Sequence, residues 1–130
     1  MKNYNFLLLC TGLTGLYFIV TGIQYWISDY MITELEQSES VVFTSFGIVT
    51  ITGPVLGVVV GGNIITRFGG YNTRKTLILT CATAIFCLGV AIPVPFVNNF
   101  PLFLTLLWFL LFFGGFMLPA LTGIMLNTVE

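Results

Sequence analysis

Four long apolar runs, none of them carrying a charge, set the limits on what this chain can fold into. They lie at about residues 4–27, 41–66, 76–97 and 101–126, and each holds 22 to 26 residues. A bilayer core about 30 Å thick is crossed by roughly 20 helical residues at a rise of about 1.5 Å each. Every run is therefore long enough to span. Inside hydrocarbon the backbone must satisfy its own hydrogen bonds, so the runs should be helices. The expected fold is an all-α membrane protein, one transmembrane domain of four helices over residues 1–130.

Composition closes off the alternatives. Hydrophobic residues make up 57% and charged residues 7% of the chain. Ordinary globular domains carry about 25% charged residues, so this chain lacks the polar surface that water requires. The net charge of −1 supplies no basic field, and no nucleic-acid partner is expected. Histidine is absent, which removes the commonest general base and metal ligand. The hydroxyls of Ser45, Thr50 and Thr52 have no intramembrane carboxylate to activate them, so no enzyme, metal or cofactor is expected. Cys10, Cys81 and Cys87 all sit in apolar runs and read as buried small hydrophobes. Gly61-Gly62 and Gly69-Gly70 have no following Gly-Lys-Ser/Thr, so they are not a phosphate loop. The first run is longer than a signal-peptide core, and Cys10 follows three leucines rather than a small residue, so it reads as a retained span.

The second run carries glycine at every fourth position: Gly53, Gly57 and Gly61. Residues four apart share a helix face. Such a face lets a second helix approach at backbone distance, which is how helices associate in lipid. The other spans should pack beside it.

The loops give an orientation. Residues 28–40 hold Asp29, Glu34, Glu36 and Glu39 and no cation. The loop after the second run holds Arg67, Arg74 and Lys75, and Lys2 is the one remaining cation. With four crossings, all the cations fall on the side shared by the two termini, which the positive-inside bias assigns to the cytoplasm. Tyr25, Trp26 and Tyr30 sit where an outer interfacial belt belongs. The expected protein is multi-pass and integral, with both termini cytoplasmic.

Two spans carry stripes. Thr14, Tyr17, Thr21 and Gln24 step by 3, 4 and 3, and so share one face of the first span. That face either lines a watery path to a solute, or its hydroxyls bond their own backbone and Gln24 bridges to a neighbouring helix. The fourth span has Thr105, Trp108, Phe112, Gly115, Pro119 and Thr122 along one side, with Pro119 set to kink it. Path lining and packing both account for these positions. Pro54 interrupts the second span in the same way, while Pro93 and Pro95 should end or bend the third.

The loop after the second span resembles a known family. Gly62, Arg67 and Gly69, followed by Arg74 and Lys75, resemble the signature loop of the major facilitator superfamily. That loop reads Gly, three variable residues, Asp, Arg, one variable, Gly and then two basic residues. Thr66 stands in the place of the aspartate, and Gly70 where the first basic residue would be. The stretches TGIQYWISDYM, ITGPVLGVVVGG and LPALTGIML are similar to the second half of spinster-like members. The resemblance implies a partial half bundle, helices seven to ten of twelve, from a secondary transporter of a small organic or lipid-like solute. It implies that the first and fourth spans line the central cavity. It also implies that the second span and its loop gate the cytoplasmic side, with Arg67 pairing to a carboxylate or helix end. Substrate in such transporters binds between repeats. The chain is therefore expected to be a fragment, partnered by the lipid bilayer and by the remaining helices or another membrane chain, with about six spans upstream and about two downstream.

Two other functions fit less of the sequence. One is a non-transporting integral membrane subunit that packs through Gly53, Gly57 and Gly61 into a larger complex. The other is a small four-helix proton-coupled exporter, which would need a carboxylate within a span, and none is present.

Overall fold

The computed structural model describes residues 4–71 and 73–129. Lys2 lies outside the described residues. The chain forms α1 (Tyr4–Thr33), α2 (Glu39–Arg67), α3 (Arg74–Ala91) and α4 (Phe100–Val129), with a short 3-10 turn at Val94–Phe96 before α4. No strand occurs among the described residues. All four helical segments are long and apolar enough to cross a bilayer.

Each helix has a local reason for its bounds. α1 continues past its apolar run through Asp29 to Thr33, because the outer turns can face water and still complete their ladder. α2 starts with Glu39 in its first turn and ends with Arg67 in its last, both favourable to the helix dipole. α3 stops at Ala91, and Pro93 caps the 3-10 turn that follows, as the two prolines require. α3 is only 18 residues, and the segment Arg74–Phe96 reaches a spanning length of 23 with that turn included. Along the helices, the hydroxyls of Thr14, Thr21, Thr80, Thr83, Thr105 and Thr122 donate to carbonyls four residues back at 2.7–2.8 Å. That bond lets a hydroxyl sit in lipid without an orphan donor.

α4 is the hub. α2 lies closest to it, α3 packs along another side, and α1 touches both α4 and α2. Gly53 meets Trp108 and Leu111, Gly57 meets Phe112, and Gly61 meets Phe116, so α2 and α4 run parallel. α1 runs antiparallel to α4: the Tyr30 ring stacks on Phe103 at 5.5 Å, and Cys10 Sγ lies 3.9 Å from Met125 Sδ. α3 is antiparallel too, with Phe86 edge-on to Phe113 at 4.8 Å. The best-buried cluster joins Met31, Leu35, Val42, Val49, Phe103, Leu107 and Leu111 at the end of the bundle where α4 begins.

These directions sort the charges. Arg67, Arg74 and Lys75 lie at the end where α4 finishes, and Asp29, Glu34, Glu36 and Glu39 at the opposite end, all of them exposed. Much of the outer surface is large and apolar, including Phe18, Trp26, Phe43, Ile51, Ile85 and Leu88. α1 is the least enclosed of the four helices, with most of its apolar stretch open.

A methyl added at Gly57 overlaps the Phe112 carbonyl, whereas one added at Gly62 meets nothing within 4 Å. Gly57→Ala should therefore destabilise the detergent-solubilised protein by about 1–3 kcal/mol, the usual cost of overpacking. Gly62→Ala should be neutral or stabilising by up to ~1 kcal/mol, through helix propensity. Unfolding followed by circular dichroism in mixed micelles checks the pair.

Candidate functional site

The residues singled out from the sequence fall into three places. The first is the seam between α2 and α4. Gly53, Gly57, Gly61 and Ile65 form a buried line along α2. A Cβ at Gly53 would lie 3.3 Å from Leu111 Cβ and 3.3 Å from the Trp108 carbonyl oxygen, and one at Gly61 would lie 2.5 Å from the Phe116 carbonyl oxygen. The fit is reciprocal, since a Cβ at Gly115 would lie 2.5 Å from the Pro54 carbonyl oxygen. At Gly61 and Gly115 a side chain could not be inserted without parting the helices, while at Gly53 the neighbours would give by a few tenths of an ångström, so Gly61 and Gly115 set the interhelix distance. The α4 stripe faces this seam. Trp108, Phe112 and Gly115 contact α2 directly, and Trp108 stacks on Phe112 with ring centroids 5.2 Å apart. Trp108 Nε1 donates to Thr52 Oγ1 at 3.0 Å, and that hydroxyl donates to the Ile48 carbonyl at 2.7 Å. Pro119 and Thr122 are half-buried further along.

The second place is the exposed flank of α1. Thr14, Tyr17, Thr21 and Gln24 are all exposed. Thr14 donates to the Cys10 carbonyl and Thr21 to the Tyr17 carbonyl, each at 2.8 Å. Gln24 makes no hydrogen bond to another helix among the described residues. Toward the start of α4, α1 meets it through a different face, which carries Ile23, Ile27 and Tyr30, while at the other end Cys10, one turn before Thr14, touches Met125. Tyr17, Thr21 and Gln24 are therefore not brought to the α4 stripe in this bundle.

The third place is the loop after α2. Gly69 (φ +97°) and Gly70 (φ +90°) both occupy the left-handed region. Gly70 N–H donates to the Ile65 carbonyl at 3.1 Å and Gly69 N–H to the Thr66 carbonyl at 3.4 Å. This is a Schellman closure, and it gives the glycine at position 69 of the signature loop a backbone reason. The Thr76 hydroxyl donates to the Gly70 carbonyl at 2.8 Å, tying the start of α3 back to the loop. The Tyr71 ring lies against Gly123, where any side chain would collide with it, so the loop is seated on α4. Arg67 ends α2 and Arg74 and Lys75 begin α3 on either side of this turn, and the three form no ion pair among the described residues.

Two features escaped the sequence reading. Thr76, Thr80 and Thr83 form a buried line on α3, visible in retrospect as hydroxyls spaced 4 and 3 apart. The pairing of Trp108 with Thr52 has no sequence signal, because it depends on the register between two helices.

Removing that pair tests the register. A double-mutant cycle with Trp108→Phe and Thr52→Val should give a coupling of about 0.6 kcal/mol and at most ~1.7, the range found for interhelical hydrogen bonds in membranes. Additive effects in mixed-micelle unfolding would contradict the bond.

A family model described as the Organic Anion Transporter Polypeptide (OATP) family matches residues 1–99. The match takes in α1, α2 and α3 and ends where α4 begins. No curated protein and no solved structure matches the chain. OATP is a transporter family within the major facilitator superfamily, in agreement with the resemblance of the loop, and the match does not extend to the spinster-like branch. With 99 of its 130 residues in that match, the chain belongs to the organic anion transporter polypeptide family.

Proposed function

We propose that the chain supplies four transmembrane helices of a secondary transporter that moves a small organic anion, amphipathic or lipid-like in character. The observation that carries this reading is the family match over residues 1–99. On this reading the chain is part of a longer transporter, and its helices correspond to the seventh to tenth of a twelve-helix arrangement. α2 and α4 move as one body, because glycine-to-backbone contact leaves no room for sliding. The exposed flank of α1 faces the solute path, with Gln24 offering amide donors to an anionic group. Arg67, Arg74 and Lys75 face the cytoplasm at the gate end. Asp29, Glu34, Glu36 and Glu39 are at the other end of the bundle, so none of these four is the carboxylate partner of Arg67.

A second reading, a non-transporting membrane subunit, draws support from one observation: the α4 stripe is occupied by α2 rather than by open space. The two readings differ in water access at α1. With Cys10, Cys81 and Cys87 replaced by alanine in the full-length transporter, Gln24→Cys should react with a charged, water-soluble thiol reagent. An organic anion dye should slow that reaction, and the modified protein should lose dye uptake. A Gln24→Cys thiol that stays silent while uptake continues would overturn its place on the path.

A further inference from the structure

We infer that the C-terminal end of α2 carries a binding site for the headgroup of an anionic phospholipid. A shallow open groove on the outer face of α2 is lined by Val60, Asn63, Ile64 and Arg67. Its lower end, at Val60, is apolar. Asn63 and Ile64 lie midway, and Arg67 marks its upper end in the last turn of the helix. An amphipathic guest with an acyl chain below and a negative group above matches this order. The Asn63 amide already donates to the Val59 carbonyl at 2.8 Å and is held against the helix beside Arg67.

Charge decides the occupant. Arg67 is joined at this end by Arg74 and Lys75, all three exposed and without an ion pair among the described residues. The described carboxylates are at the other end of a bundle whose helices are long enough to cross the bilayer. About 30 Å away and screened by salt, they cannot compensate these cations, and the adjoining leaflet offers anions beside them. The turn that presents the cations is fixed by the Gly69 and Gly70 closure and by the Thr76 hydroxyl. This site does not depend on the transport reading, since it stands on charge placement and the α2 groove alone.

The full chain is purified and placed in nanodiscs of equimolar phosphatidylcholine and phosphatidylglycerol, and the lipid retained after release is identified by native mass spectrometry. Phosphatidylglycerol should be retained in preference. Arg67→Gln should reduce that preference about fivefold, as loss of one juxtamembrane cation predicts, and raised salt should weaken it. Glu39→Gln, at the opposite end, should leave it unchanged. Unaltered helicity of both variants by circular dichroism shows that folding is intact. Equal retention of the two lipids, or equal losses for Arg67→Gln and Glu39→Gln, would overturn the site. So would displacement of the lipid by glycerol phosphate at matched concentration, which would make the groove a place for free anions instead.

Discussion

The backbone-to-backbone approach of α2 and α4 is the contact on which the rest of this structure depends. In lipid, two leucine-faced helices gain nothing by leaving the tails for each other, so association needs closer atoms than side chains permit. Gly53, Gly57 and Gly61 on one helix and Gly115 on the other provide that approach. Trp108 adds a hydrogen bond to Thr52 across the same seam. Once α4 is fixed on α2, the two remaining helices pack on α4 from other sides, and α1 stays largely open.

The loop at the end of α2 translates this seam into an arrangement of charge. Gly69 and Gly70 reverse the chain with both φ values positive, and Tyr71 seats the reversal on α4 at Gly123. Arg67, Arg74 and Lys75 are thereby held at one end by the same two helices that form the tight pair.

Some of this was legible in the residues alone, and the reasons differ by element. The four helices follow from length and lack of charge, which hydrocarbon enforces without regard to tertiary detail. Pro93 and Pro95 end α3 because proline acts locally. The central place of α4 was not legible. In lipid, a buried face and an exposed face are equally apolar, so hydrophobic periodicity does not mark the partner. For the same reason the stripe at Trp108, Phe112 and Gly115 reads equally as a lining or as a seam, and only the register against Gly53 and Gly57 separates the two. The extension of α1 to Thr33 was hidden because it lies outside the apolar run. The buried threonines of α3 were hidden because a hydroxyl bonded to its own helix carries no outward sign.

The parallel α2–α4 pairing can be tested by one bond. A Cβ at Gly53 would lie 3.3 Å from Leu111 Cβ, just short of the ~3.5–4.5 Å that a disulfide spans. In a protein lacking Cys10, Cys81 and Cys87, the pair Gly53→Cys and Leu111→Cys should close within one molecule under mild oxidation in the membrane. Both thiols should then be lost to titration without any dimer on a non-reducing gel. Thiols that stay free, or that link only between molecules, would contradict the seam.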